Sequence, residues 1–147
     1  MKIIEIKKRD PELLEALLDI WESSVRATHL FLSEEEKHQI KQYVPQALNH
    51  VPNLFIARNE RGNSVGFMGI ADQMLEMLFV SNENRGRGIG KQLLRYGIEK
   101  YSVNKLAVNE QNPLAKGFYE HMGFEVYKRS ALDEQGNPYP ILYMARD

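Results

Sequence analysis

Between Leu75 and Tyr101 the chain reads LEMLFVSNENRGRGIGKQLLRYGIEKY, and this stretch restricts the possible folds more than any other. An apolar run with strand character (Leu75 to Val80) enters a polar turn (Ser81, Asn82, Asn84), and the helix expected next opens through Arg85-Gly86-Arg87-Gly88-Ile89-Gly90-Lys91. A strand that passes through glycines into a helix is an anion-binding device. The first helical N–H groups have no intrahelical acceptor, and the macrodipole makes that end electropositive. Phosphate is the usual guest. Glycines let the backbone approach it with no Cβ in the way, while Arg85, Arg87 and Lys91 add positive charge at the same place.

Spacing separates the phosphate loops. A Walker loop needs four residues between its first glycine and the Gly-Lys pair, then Ser or Thr; here Gly86 stands too close to Gly90-Lys91 and Gln92 follows. The dinucleotide fingerprint G-x-G-x-x-G is missed as well, because the glycines fall at every second residue and no βαβ unit starts the chain. The pattern that does fit is R-x-x-G-x-G, with Arg85, Gly88 and Gly90 in the fixed positions. Farther on, Asn112-Pro113-Leu114-Ala115-Lys116-Gly117-Phe118-Tyr119-Glu120-His121-Met122-Gly123-Phe124 has the form N-x-x-A-x-x-F-Y-x-x-x-G-F. In these two motifs and their order the sequence resembles the GNAT superfamily of acyl-coenzyme A dependent N-acyltransferases.

Composition sets outer bounds. With 147 residues the chain is expected to form one domain, residues 1–147, around one substantial core. A hydrophobic share of 43% and a charged share of 27% suit a globular chain with no membrane association, since no apolar run approaches the ~20 residues that cross a bilayer. The start, Met1 to Ile6, lacks the apolar core of a secretory signal, so a cytoplasmic location is expected. The absence of cysteine excludes disulfides, thiolate metal sites and a cysteine nucleophile. A net charge of −1 argues against nucleic acid as a partner. His38, His50 and His121 show no ligand spacing, so no metal is expected.

Periodicity supplies the elements. Residues 2 to 6 alternate as a strand; Asp10-Pro11 opens a helix to about Ala27; Ser33 and Glu36 form a capping box for a second helix toward Leu48, which Pro45 bends or shortens. Strands 54–57, 65–70 and 75–80 make a meander before the glycine-led helix, whose buried face carries Leu93, Leu94, Gly97, Ile98 and Tyr101. Strand 105–108, a helix opened by Asn112-Pro113 and stopped by Gly123, and strands 124–132 and 140–145 complete the chain. The class is α/β (α+β), with about seven strands and about four helices. The resemblance implies a single-domain GNAT fold: a mixed, mostly antiparallel sheet whose central strands splay apart to admit the cofactor's pantetheine arm.

It also implies chemistry. The cofactor is acetyl-coenzyme A, held by Arg85, Gly86, Arg87, Gly88, Ile89, Gly90 and Lys91 at its diphosphate, by Leu78, Val80 and Asn112 along its arm, and by Tyr119. Tyr119 occupies the position of the family's general acid, and a phenol of pKa ~10 keeps its proton at neutral pH for a thiolate whose acid has pKa ~8.5. The N–H of Leu78 is the oxyanion donor. Two proton acceptors stay open: Glu76, on the same face as Leu78 if that strand is regular, and His29, whose ordinary pKa near 6.5 suits the task. Trp21, Thr28, His29 and Phe31 are the expected acceptor-site residues. The expected function is acetyl transfer to a primary amine of a small molecule or peptide in a ternary complex, the alternative being a non-catalytic module that binds coenzyme A. Monomer and homodimer both remain open.

Overall fold

The computed structural model describes residues 1–147. Strand β1 (Lys2–Glu5) leads to helices α1 (Pro11–Thr28) and α2 (Glu34–His50), then to the meander β2 (Asn53–Arg58), β3 (Ser64–Ala71) and β4 (Met74–Val80). Helix α3 (Ile89–Tyr101), strand β5 (Lys105–Asn109), helix α4 (Pro113–His121) and the hairpin β6 (Glu125–Ser130) and β7 (Ile141–Ala145) follow. This is the order of elements anticipated from the sequence.

Local chemistry accounts for the boundaries. Asp10 accepts from the N–H of Leu13 at 2.9 Å and Pro11 starts α1 with a preset φ. The Ser33–Glu36 capping box closes in both directions, at 2.9 and 3.1 Å. Pro45 does not shorten α2, which continues to His50. Helix α3 begins later than expected. Arg85 to Gly88 form a loop, because Gly86 and Gly88 take φ of 78° and 76°, a left-handed conformation that no helical turn contains.

One seven-stranded sheet runs β1-β2-β3-β4-β5-β7-β6, antiparallel at every pair except β4 and β5. Each face carries its own core. Helices α3 and α4 cover a cluster containing Met68, Ile70, Leu75, Leu93, Leu94, Leu106 and Phe124. Helices α1 and α2 cover the other, with Leu17, Trp21, Leu48, Leu54, Ile56 and Phe67.

Strand β4 is not regular. Gly69 pairs with Met77 and Ile70 with Leu75, so Glu76 is the extra residue of a β-bulge. Leu75, Leu78 and Val80 pack toward α3 and α4, Met77 and Phe79 toward α1 and α2, and simple alternation from Glu76 to Leu78 is broken. The sequence expectation that Glu76 shares a face with Leu78 assumed a regular strand, and the bulge interrupts that regularity at Glu76 itself.

Glycine is required opposite the bulge. A Cβ at Gly69 would lie 2.6 Å from Met77 Cγ and 3.1 Å from Val51 Cγ2. We expect Gly69→Ala to destabilise the fold by about 1–3 kcal/mol, as overpacking of a filled core does. Thermal or urea unfolding measures this, and an unchanged midpoint would contradict the close packing described.

Candidate active site

Strands β4 and β5 pair only at Met74↔Lys105 and Leu75↔Leu106. Beyond these positions β5 stays on β7 through Asn109 while β4 stays on β3 through Val80, and the two part. A cavity of about 370 Å³ occupies the wedge. Its walls are the facing strand edges, Glu76 to Val80 and Ala107 to Asn109. A parted strand edge presents backbone N–H and C=O groups that no neighbouring strand satisfies, and a thin amide-bearing chain can pair with them as a strand does.

At one end lie Asn84, Arg85, Gly86 and Gly90. A single 3-10 turn, Asn82–Asn84, sets this loop, and the N–H of Asn82 donates to Ser23 Oγ on α1 at 2.9 Å. Gly88 caps α3 in the left-handed conformation, and no side chain caps the helix. The first-turn amides of α3 thus remain available to an anion. A Cβ at Gly86 or Gly88 would meet nothing within 4 Å, so open space surrounds both. Of the other loop residues, Ile89 is buried in the core, Arg87 faces a separate cleft beside Asp19 and Glu83, and Lys91 lines another with Arg95, His121 and Arg146. Their side chains do not line the wedge.

Helix α4 supplies the third wall through Asn112, Ala115, Phe118 and Tyr119. Asn112 Oδ1 accepts from the N–H of Ala115 at 3.3 Å, which leaves its Nδ2 for a ligand. Tyr119 packs between Phe118 and Phe124, with ring centroids at 5.3 and 6.3 Å, and burial pushes its phenol well above the usual tyrosine value. Its protonated form is favoured.

The far end is formed by α1 through Ser24, Thr28 and His29, facing Glu76. His29 is half-buried, and burial followed by the charge of Lys37 lowers its pKa from the ordinary histidine value. Partial burial, and then the charge of Glu134, raises that of Glu76. Phe31 stands beside the His29 ring at 5.5 Å and itself packs on Tyr139 at 5.6 Å, without lining the cavity. Trp21 is also outside it: buried in the α1–α2 core, it borders a charged cleft between those helices. Trp21 lies two turns before Thr28 on nearly the same helical face, about 10 Å back along the axis, where α1 packs in its own core with α2. Sequence reasoning missed Ser24, Asn84 and the β5 wall. The spacing of Ser24 and Thr28, one turn apart, was the available signal for the first; Ala107 to Asn109 belong to no motif and leave none.

An uncapped, glycine-led helix start that opens onto a parted sheet, with a neutral phenol above the gap, defines an acyltransferase that takes its acyl group from a thioester of coenzyme A. Residues 22–138 match the family model described as an acetyltransferase (GNAT) domain, and the chain belongs to the GNAT superfamily. The peptidyl-lysine N-acetyltransferase YjaB of Escherichia coli (strain K12) is 40% identical to it over 143 residues, 97% of each protein. The solution structure of apo YjaB from Escherichia coli matches with a TM-score of 0.87, covering 99% of this chain and 97% of that one at 40% identity. An aminoglycoside 6'-N-acetyltransferase complexed with coenzyme A shares the fold at 19% identity, with a TM-score of 0.65 over 99% of this chain and 96% of that one. The protein is an acetyl-coenzyme A dependent N-acetyltransferase, and the non-catalytic alternative is not favoured.

The loop can be tested by itself. Gly88→Val forces a β-branched residue into the left-handed region at a cost of about 1–2 kcal/mol, which the loop relieves by moving its amides. Calorimetric titration with coenzyme A is expected to show affinity reduced about tenfold, equivalent to about 1.4 kcal/mol. Undiminished binding would place the diphosphate elsewhere.

Proposed function

We propose that this enzyme acetylates lysine side chains of peptides or proteins, by direct transfer within a ternary complex. The observation that carries the reading is the carboxylate at the acceptor end: Glu76 lines the cavity with Ser24, Thr28 and His29. An arriving ammonium supplies its counter-charge, and a lysine side chain of pKa ~10.4 is an ammonium at neutral pH. The 40% identity to a protein named as a peptidyl-lysine N-acetyltransferase, over nearly the whole of both chains, supports the same acceptor.

Bound acetyl-coenzyme A supplies the acetyl group as a thioester. The amides from Gly86 to Gly90 hold its diphosphate, with Arg87 and Lys91 adding positive field from outside the wedge rather than contact. Val80 and Asn112 Nδ2 hold the arm, and the N–H of Leu78 polarises the carbonyl, a kind of donor whose loss elsewhere costs roughly 3–4 kcal/mol. Glu76 receives the ammonium. His29, neutral at working pH because its surroundings disfavour the imidazolium, takes the proton that the nitrogen sheds. Tyr119 gives its proton to the departing sulfur. Phe31 and Thr28 hold the His29 ring, and Trp21 supports α1 from the core behind it.

Three variants separate these roles. Tyr119→Phe keeps the ring and is expected to lower kcat on the order of a hundredfold with little change in KM for acetyl-coenzyme A. His29→Gln should lower kcat and remove the acidic limb of the pH–rate profile. Because the neutral imidazole is the active form and its pKa is depressed, that limb lies below the ordinary histidine value near 6.5 and activity is retained above it. Glu76→Gln should raise KM for a lysyl peptide more than it lowers kcat. The acceptor itself is tested with a peptide carrying one lysine and a blocked N-terminus, acetylation being read by mass spectrometry. Turnover of polyamines or aminoglycosides with none of this peptide would overturn the assignment.

A further inference from the structure

Thr28 is the last residue of α1 and His29 caps it, so their side chains leave adjacent positions at a helix end. Thr28 Oγ1 lies 2.8 Å from the Ser24 carbonyl oxygen and 2.8 Å from His29 Nδ1. A hydroxyl has one hydrogen and two lone pairs, and a carbonyl only accepts. The hydrogen must therefore lie between Thr28 Oγ1 and Ser24; placed anywhere else, it would leave two oxygens facing each other at that distance with nothing between them. Such back-bonding from threonine to the carbonyl one turn earlier is common in helices. What it leaves for the neighbouring ring is a lone pair. His29 Nδ1 consequently carries a hydrogen and donates it to Thr28. In a neutral imidazole one nitrogen donates and the other accepts, so the basic lone pair belongs to Nε2.

From this geometry we infer that Thr28 is a positioning residue: by accepting from Nδ1, it holds His29 in the tautomer whose Nε2 can take a proton from the acceptor amine. The inference rests on the reading of His29 as proton acceptor. It gives Thr28 a role through the ring rather than on the substrate, since its one hydrogen is already committed to Ser24. In the opposite tautomer Nε2–H would meet the ammonium hydrogen to hydrogen, and no proton could pass. Nε2 first takes a proton from the ammonium and passes it to solvent, which frees the nitrogen lone pair. As the N–C bond then forms and the C–S bond breaks, Nε2 takes the second proton lost by nitrogen and Tyr119 Oη gives one to sulfur. Exchange with solvent resets both residues, with one proton released overall. The groups about the ring agree with this. Phe31, backed by Tyr139, fixes its plane from one side. Lys37 on α2 disfavours the imidazolium, and Glu76 on β4 shares the cavity. No carboxylate accepts from Nδ1, so the ring is oriented without being made a stronger base.

Long-range proton–nitrogen correlation spectra of the full chain labelled at its four histidines read the tautomer directly, with the His29 signal identified by its loss in His29→Gln. The spectra are taken about two pH units above the ordinary histidine pKa. Wild type and Thr28→Ser are expected as Nδ1–H, and Thr28→Val, which keeps the shape and removes the acceptor, as Nε2–H. Turnover of the lysyl peptide should fall about tenfold in Thr28→Val and recover in Thr28→Ser, with KM for acetyl-coenzyme A and the melting temperature unmoved. An Nε2–H tautomer in the wild type, or wild-type kcat in Thr28→Val, overturns the inference. Wild-type kcat in His29→Gln would instead overturn the proton-acceptor reading, and the spectra, taken without turnover, keep the two failures apart.

Discussion

Two parallel strands that begin as neighbours and then part create the working space of this protein. The cause lies in their outer partners. Strand β5 stays paired with β7 from Lys105 to Asn109, and β4 with β3 from Met74 to Val80, so each keeps a full ladder on its outer edge. Only the shared edge is given up, after Leu106 on one side and Leu75 on the other. The bulge at Glu76 adds local twist to β4 where the strands separate. Open α/β sheets offer their ligand site beyond the carboxyl ends of parallel strands, and the wedge lies there. A bound amide chain restores part of what the missing ladder forfeits, since an unpaired backbone group away from water costs roughly 1–3 kcal/mol.

A wedge in a sheet must be kept from closing, and the two separate cores do this. One fixes β4 and β5 from beneath through α3, with Leu93, Leu94 and Leu106 fully or almost fully buried. The other anchors α1 across the opposite face through Leu17, Ile20 and Trp21. Helix α1 then reaches both ends of the cavity. Ser23 holds the amide of Asn82 beside the phosphate loop, while Thr28 and His29 form the acceptor end between one and two turns later. One rigid rod thus sets the distance between the place proposed for the diphosphate and the place proposed for the amine.

The cavity is electrically graded along the same line. Arg85 and the uncapped start of α3 add positive charge at one end, and the Glu76 carboxylate stands at the other. The chain's net charge of −1 does not reveal this placement, because a sum carries no positions. Between the ends lie groups held neutral: Tyr119, whose phenol burial keeps protonated, and His29, whose imidazole burial and Lys37 keep uncharged. A diphosphate and an ammonium are opposite in charge, and a graded slot admits each to its own end.

The sequence alone determined the elements and the anion-binding turn, because those are set by neighbours along the chain. Asp10-Pro11, Ser33 with Glu36, and Asn112-Pro113 fix helix starts through contacts three residues apart, and Gly86 and Gly88 supply the left-handed turns of the loop before α3. Tyr119 and Asn112 were legible for the same reason, lying in one short motif on one helix. What needed the tertiary structure was every relation between distant segments: the parting of β4 from β5, the bulge that interrupts β4 at Glu76, and the placing of Trp21 in the α1–α2 core instead of at the cavity. Periodicity states that a residue faces inward, without saying which of two interiors it faces. The cavity is built from α1, β4, the loop before α3, β5 and α4, segments tens of residues apart. Which side chains meet there depends on how the sheet twists and where its strands stop pairing, and no local pattern encodes either.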